Sequence, residues 1–183
     1  PIAFAITHTE NDYYVQPTGS VQRSFPESAE SWSRMQPEPN PVCLGRYRIL
    51  ARLGTGSLSV VYRGRDDQLQ RDVAVKVPHR HRIATAADVE AYLAEARMLA
   101  TLDHPGIVPV HDVGRTADGL CYVVSKFVAG QDLRVRLRQA RPPCAEAAAL
   151  VAQVAEALYH AHRRGLVHRD VKPANILLDE QGR

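Results

Sequence analysis

The sequence predicts an α+β fold, and three observations predict it. Between residues 46 and 128 apolar residues recur mostly in short alternating runs, the period of strands, with one helical stretch set among them. Two glycines in Gly54-Thr55-Gly56 form a turn followed by a second strand-like run, Val60-Val61-Tyr62, where a dinucleotide site would need a helix. From Ala145 to Arg164 the period changes to that of one long amphipathic helix.

Composition narrows the function classes. With 183 residues, 45% of them hydrophobic and 23% charged, the chain can bury a core as a soluble globular protein. A net charge of +3 is too small to argue for nucleic acid or an anionic membrane as a partner. That charge is uneven: residues 1–45 carry two Arg against five Asp and Glu, and the basic excess lies in the remainder. Cys43, Cys121 and Cys144 have no metal-type spacing and form no even disulfide set, so a reducing, cytoplasmic setting is expected. No apolar run approaches the ~18 residues of a membrane helix. Pro1-Ile2-Ala3-Phe4-Ala5-Ile6 is too short for a signal peptide and lacks its basic flank. The chain starts without Met, and reads as a fragment or a trimmed product.

Taken in order, residues 1–45 show no period and are rich in Ser, Pro, Glu, Gln and Asn, ending in the stiff tract Gln36-Pro37-Glu38-Pro39-Asn40-Pro41. They read as a disordered leader or linker; Phe25 and Trp32 as a short docking motif is the lesser alternative. Tyr47, Ile49 and Ala51 then alternate with polar residues as a half-buried strand. Gly54 and Gly56 follow at a hairpin tip, where backbone amides can approach phosphate oxygens unobstructed. In the strand Val73-Ala74-Val75-Lys76-Val77, Ala74 and Lys76 share a face, leaving room for a flat ring beside an ammonium that reaches phosphate. His79-Arg80-His81-Arg82 reads as a solvated basic connection.

Residues 86–101 are helical, with Val89, Tyr92, Leu93, Ala96, Leu99 and Ala100 as the apolar stripe. Glu95 falls on that stripe, and a carboxylate there calls for a cation, for which Lys76 is the candidate. Asp103-His104-Pro105-Gly106 stops the helix, and strands follow over 107–113 and 120–128. Arg134, Arg136, Arg138 and Arg141 read as a solvated helix face. In the long helix, Leu150, Val151, Val154, Leu158 and Ala161 are expected inward, with Gly165 closing it.

The run His168-Arg169-Asp170-Val171-Lys172-Pro173-Ala174-Asn175-Ile176-Leu177-Leu178-Asp179 carries the chemistry. Asp170 is placed to accept a proton from a hydroxyl, Asn175 to offer its carbonyl oxygen to a metal ion, and Lys172 to neutralise a phosphate in transfer. This run matches His-Arg-Asp-x-x-x-x-Asn at every fixed position. It resembles the catalytic loop of eukaryotic-type (Hanks-type) serine/threonine protein kinases, the short connections and Pro-Ala-Asn being most similar to bacterial members. The glycine turn resembles that family's glycine-rich loop, with Ser59 in place of its third glycine, and Val73-Ala74-Val75-Lys76 its nucleotide-holding strand.

The resemblance covers residues 46–183. It implies a protein-kinase-like two-lobe fold: an antiparallel five-stranded small lobe with one main helix over about 46–128, then an incomplete helical large lobe over about 129–183. It implies ATP and Mg²⁺ as cofactors and Ser/Thr of proteins as substrates. Gly54 and Gly56 would cover the phosphates, and Lys76 held by Glu95 would grip them. Leu53, Val61, Ala74 and Leu177 would sandwich adenine. The Lys126 carbonyl and Val128 amide would meet its edge, with Ser125 a small gatekeeper and Asp132 near the ribose. Asp170, Lys172 and Asn175 would be catalytic, Asn175 also holding the metal. Lys172 two after Asp170 is the serine/threonine form of the loop, and Arg169 implies control by a phosphorylated activation loop. The family's Asp-Phe-Gly motif is not reached by Arg183, so the chain is expected to be a truncated piece with little or no activity. A nucleotide-binding pseudokinase-like regulatory module is the alternative.

Overall fold

The computed structural model describes residues 3–4 and 41–182 of the chain. The expected leader over residues 1–45, with Phe25 and Trp32, lies largely outside them. Within that range Ala3–Phe4 (β1) and Cys43–Leu44 (β2) are nonetheless strands. They are followed by Tyr47–Thr55 (β3), Ser59–Asp66 (β4) and Arg71–Pro78 (β5), then helix α1 (Ala86–Leu99). Val110–Arg115 (β6) and Cys121–Lys126 (β7) lead to Gly130–Asp132 (β8) and the helices α2 (Leu133–Gln139) and α3 (Cys144–His162). Ile176–Asp179 (β9) is the last strand.

Six strands form one antiparallel sheet in the order β2-β3-β4-β5-β7-β6. That is one more than the five strands expected, the extra one being the two-residue β2, too short to give any alternation. The sheet's core is Leu44, Tyr47, Tyr62, Val73, Val75, Val77, Tyr122 and Val124. Regular alternation fails early in β3. Tyr47 is buried and Ile49 half-buried, but the register shifts between Ile49 and Ala51, and Ala51 is exposed against expectation. The extra residue of such a bulge turns the following side chains over.

Helix α1 packs Val89 and Leu93 against Cys121 of β7, its start held by a capping box between Thr85 and Asp88. Ala100, expected on the stripe, is the exposed C-cap. The connection beyond it is set by His104, whose Nδ1 accepts the Gly106 amide at 3.0 Å. Leu102 and Ile107 then pack on Ala157 and Ala161 of α3, which ties the sheet layer to the helical layer. Gly165, at φ +76°, ends α3 in the left-handed conformation that glycine tolerates. Val151, expected inward, is 68% exposed. The inward face is narrower than the hydropathy pattern, carried by Leu150, Val154 and Leu158 against Ile176 and Leu178.

A second, three-stranded sheet in the order β1-β9-β8 joins the ends of the chain. Asp132 of β8 lies opposite Leu177, and Ala3 of β1 opposite Leu177 on the other edge. Gly130, at φ +153°, makes the β8–β9 approach possible, since a Cβ there would run into the Leu178 carbonyl. Among the described residues, no helix is long and apolar enough to cross a membrane.

Candidate functional site

Strand β5 aims Ala74 and Lys76 to one side, and its pairing with β7 sets Ala74 opposite Ser125 and Lys76 opposite Val123. A cavity of about 400 Å³ opens on that side. Leu53, Val61, Ala74 and Lys76 line it from the larger sheet, and Ala174 and Leu177 from the segment around β9. Ser125, Lys126 and Val128 continue the wall along the connector to Asp132. Of the site residues expected from the sequence, Gly54, Gly56, Glu95, Asp170, Lys172 and Asn175 do not line it, whereas the others do. Both glycines are buried in the turn just beyond Leu53.

Lys76 links this cavity to the loop after α3. Desolvation lowers its ammonium from the ordinary 10.5 to about 8, while the charges of Glu95 and Asp170 pull the other way. Acids from α1 and from the His168-led loop therefore both act on the same ammonium, although they are far apart in sequence.

The loop is held from within. His168 is 2% exposed, and its Nδ1 accepts the Asp170 amide at 3.1 Å. Between them Arg169 adopts φ +62°, a conformation an L residue holds only when its surroundings impose it. Asn175 Nδ2 donates to the Asp170 carbonyl oxygen at 2.8 Å and to Asp170 Oδ2 at 3.1 Å. Lys172 Nζ lies 3.1 Å from the same Oδ2. Pro173 starts a single tight turn that buries Ala174 and Asn175 before β9.

Asn175 Oδ1 is buried and, among the described residues, has no hydrogen-bond partner. An orphaned buried carbonyl oxygen costs about 1–3 kcal/mol, so it suits an absent partner. A hard oxygen donor is what Mg²⁺ takes, usually with few protein ligands and the rest from phosphate and water. Among the described residues no cluster of three or more His, Cys, Asp or Glu could hold a metal. Asp132, in contrast, is already engaged. Its Oδ1 accepts the Val135 amide at 2.8 Å, and its Oδ2 lies 3.2 Å from Arg134.

Several cavity residues escaped sequence reasoning: Val108, Phe127, Gly130, Gln131 and Val135. Gly130 alone carried a legible signal, a glycine between an apolar strand and the capping Asp132. The others are single residues without chemical pattern, brought in by the path of the chain. The basic connection after β5 is solvated as expected at Arg80, His81 and Arg82, Arg80 pairing with Asp118 at the surface at 2.8 Å. His79 alone turns inward, its Nε2 2.8 Å from the Gly56 carbonyl oxygen.

Comparison with known proteins gives the family and the fold. The family model for the protein kinase domain matches residues 47–183. The chain is 38% identical over 139 residues to the serine/threonine-protein kinase pkn2 of Myxococcus xanthus, covering 76% of this chain and 17% of that protein. It is 39% identical over 153 residues to the serine/threonine-protein kinase PknA of Mycobacterium tuberculosis, covering 81% and 36%. The crystal structure of the Mycobacterium tuberculosis PknI kinase domain superposes with a TM-score of 0.68 at 33% identity. That match covers 76% of this chain and 57% of the other. The chain therefore spans well under half of these curated relatives and somewhat over half of the solved domain.

Proposed function

The chain belongs to the protein kinase family, and on that premise we propose that its cavity takes ATP with Mg²⁺ for transfer of the terminal phosphoryl group to serine or threonine hydroxyls of proteins. The single observation that carries this reading is a mostly apolar cavity with Lys76 on its wall, an ammonium on which the charges of both Glu95 and Asp170 act. ATP would supply the phosphoryl group and Mg²⁺ would offset its charge.

The residues divide the work. Leu53, Val61, Ala74 and Leu177 offer apolar faces to a purine, and the Lys126 carbonyl and Val128 amide its hydrogen-bonding edge. Lys76, held charged by Glu95, binds phosphate oxygens. Gly54 and Gly56 leave the turn above them free of side chains. Asp132 lies where a ribose hydroxyl would share its capping carboxylate. Asp170 accepts the proton of the attacking hydroxyl, Lys172 stabilises charge on the group in flight, and Asn175 Oδ1 is the metal ligand. Asn175 Nδ2 fixes the carboxylate so that its orientation is set before substrate arrives.

The test is calorimetric titration with ATP in the presence of Mg²⁺. Saturable magnesium-dependent binding that weakens in a Lys76→Met variant is expected. Absence of binding would end the reading. A regulatory module that binds nucleotide without catalysis is not favoured by any residue here, since Lys76, Glu95, Asp170 and Asn175 are all present.

A further inference from the structure

We propose that His79 is a positioning residue that holds the glycine turn closed beside the cavity; its effect on nucleotide rests on the reading above. The turn between β3 and β4 contains Gly56, and Gly54 lies just before it near the end of β3. Glycine at 54 and 56 widens the conformational choice of the chain. Ser59, the first residue of β4, is 1% exposed, and among the described residues its Oγ has no hydrogen-bond partner. Within the turn the Gly56 amide donates to the Ser59 carbonyl oxygen at 2.8 Å.

His79 adds two further hydrogen bonds to this turn. The His79 amide donates to the Leu58 carbonyl oxygen at 2.8 Å, which extends the β4–β5 ladder past its last pair, Ser59 with Pro78. The His79 ring then reaches back to the tip, Nε2 standing 2.8 Å from the Gly56 carbonyl oxygen. A carbonyl oxygen can only accept, so Nε2 carries the proton and donates. The ring's plane is set by stacking on His81, centroids 5.5 Å apart and 11° from parallel. His79 therefore grips the turn at both ends, by main chain at Leu58 and by side chain at Gly56. Because Leu53 and Val61 flank that turn and line the cavity, fixing its tip fixes the height of one cavity wall. It acts through the Gly56 backbone and needs no contact with the ligand itself.

Two variants separate the hydrogen bond from the stacking. His79→Phe keeps a flat ring on His81 and loses the donor, whereas His79→Gln keeps a donor N–H and loses the aromatic ring. Amide hydrogen exchange of a peptide spanning 54–60 and affinity for N-methylanthraniloyl-ATP with Mg²⁺ are measured for each. In His79→Phe, exchange should quicken and affinity weaken about fivefold each, the worth of one net hydrogen bond, with His79→Gln restoring most of both. Melting curves close to that of the parent show that both variants fold; should His79→Phe fail to fold, slower exchange in His79→Gln than in His79→Ala decides the matter. Exchange in His79→Phe equal to the parent would overturn the proposal, as would faster exchange with unchanged affinity. If the parent binds no nucleotide, the functional reading falls separately, and the exchange comparison still decides whether His79 holds the turn.

Discussion

Asn175 donates from one side-chain nitrogen to both the carbonyl oxygen and the carboxylate of Asp170, at 2.8 and 3.1 Å. The other end of the same amide, Oδ1, is buried and, among the described residues, without a partner. One side chain thus aims the acid with its nitrogen and keeps its oxygen available. Replacing Asn175 with Leu should lower stability by about 1–3 kcal/mol in urea denaturation, because Asp170 loses its buried donor. The same variant should lose the magnesium dependence of ATP affinity. Unchanged magnesium dependence would reassign the oxygen.

Lys76 gives a pH dependence with a definite sign. Its ammonium titrates at about 8 in the folded chain, against the ordinary 10.5. Between those values the unfolded chain binds more protons, so stability should rise with pH across that window, the penalty being fully present below it. Comparison with Lys76→Met in urea at several pH values isolates this slope, which the variant should lack.

Ser125 faces Ala74 across the β5–β7 pair and lines the cavity. Ser125→Met should fill that corner and weaken binding of purine-site inhibitors with bulky substituents by about tenfold or more, the worth of a lost apolar contact of one or two methylenes. Equal affinity in the two proteins would show that no space lies behind the purine position.

Gly130 supports the cavity from the β8–β9 side. A side chain there meets the Leu178 carbonyl oxygen, and φ is +153°. Gly130→Ala should cost about 2–3 kcal/mol in chemical denaturation, from steric strain and a conformation that L residues avoid. It should also displace Gln131 and Asp132 from their pairing with Leu178 and Leu177, seen as faster amide exchange in β8 and β9.

The sequence was most legible where chemistry and period coincide. Lys76 was readable because an ammonium two residues from Ala74 shares its strand face, and Asp170 and Asn175 because several polar groups crowd a loop that Pro173 stiffens. The helix over α1 was readable from its stripe, though its cap at Thr85 was not. Legibility failed where packing overrides pattern. Ala51 is turned outward by a bulge that no residue type announces, and Val151 matches the helical period yet stays exposed. The strand Cys43–Leu44 is too short to have a period at all. His79 was hidden for another reason: its partner is a main-chain carbonyl, and such partners leave no mark on sequence.

The central claim is that the strand carrying Lys76 and the loop carrying Asp170 and Asn175 serve one nucleotide. Calorimetric titration of ATP with Mg²⁺ into the parent, Lys76→Met and Asn175→Leu tests it most directly. The account predicts about tenfold or greater loss in each variant, in keeping with charge-assisted contacts to phosphate and metal, with the Asn175 effect vanishing when Mg²⁺ is withheld. Parent-like affinity in both variants would contradict it.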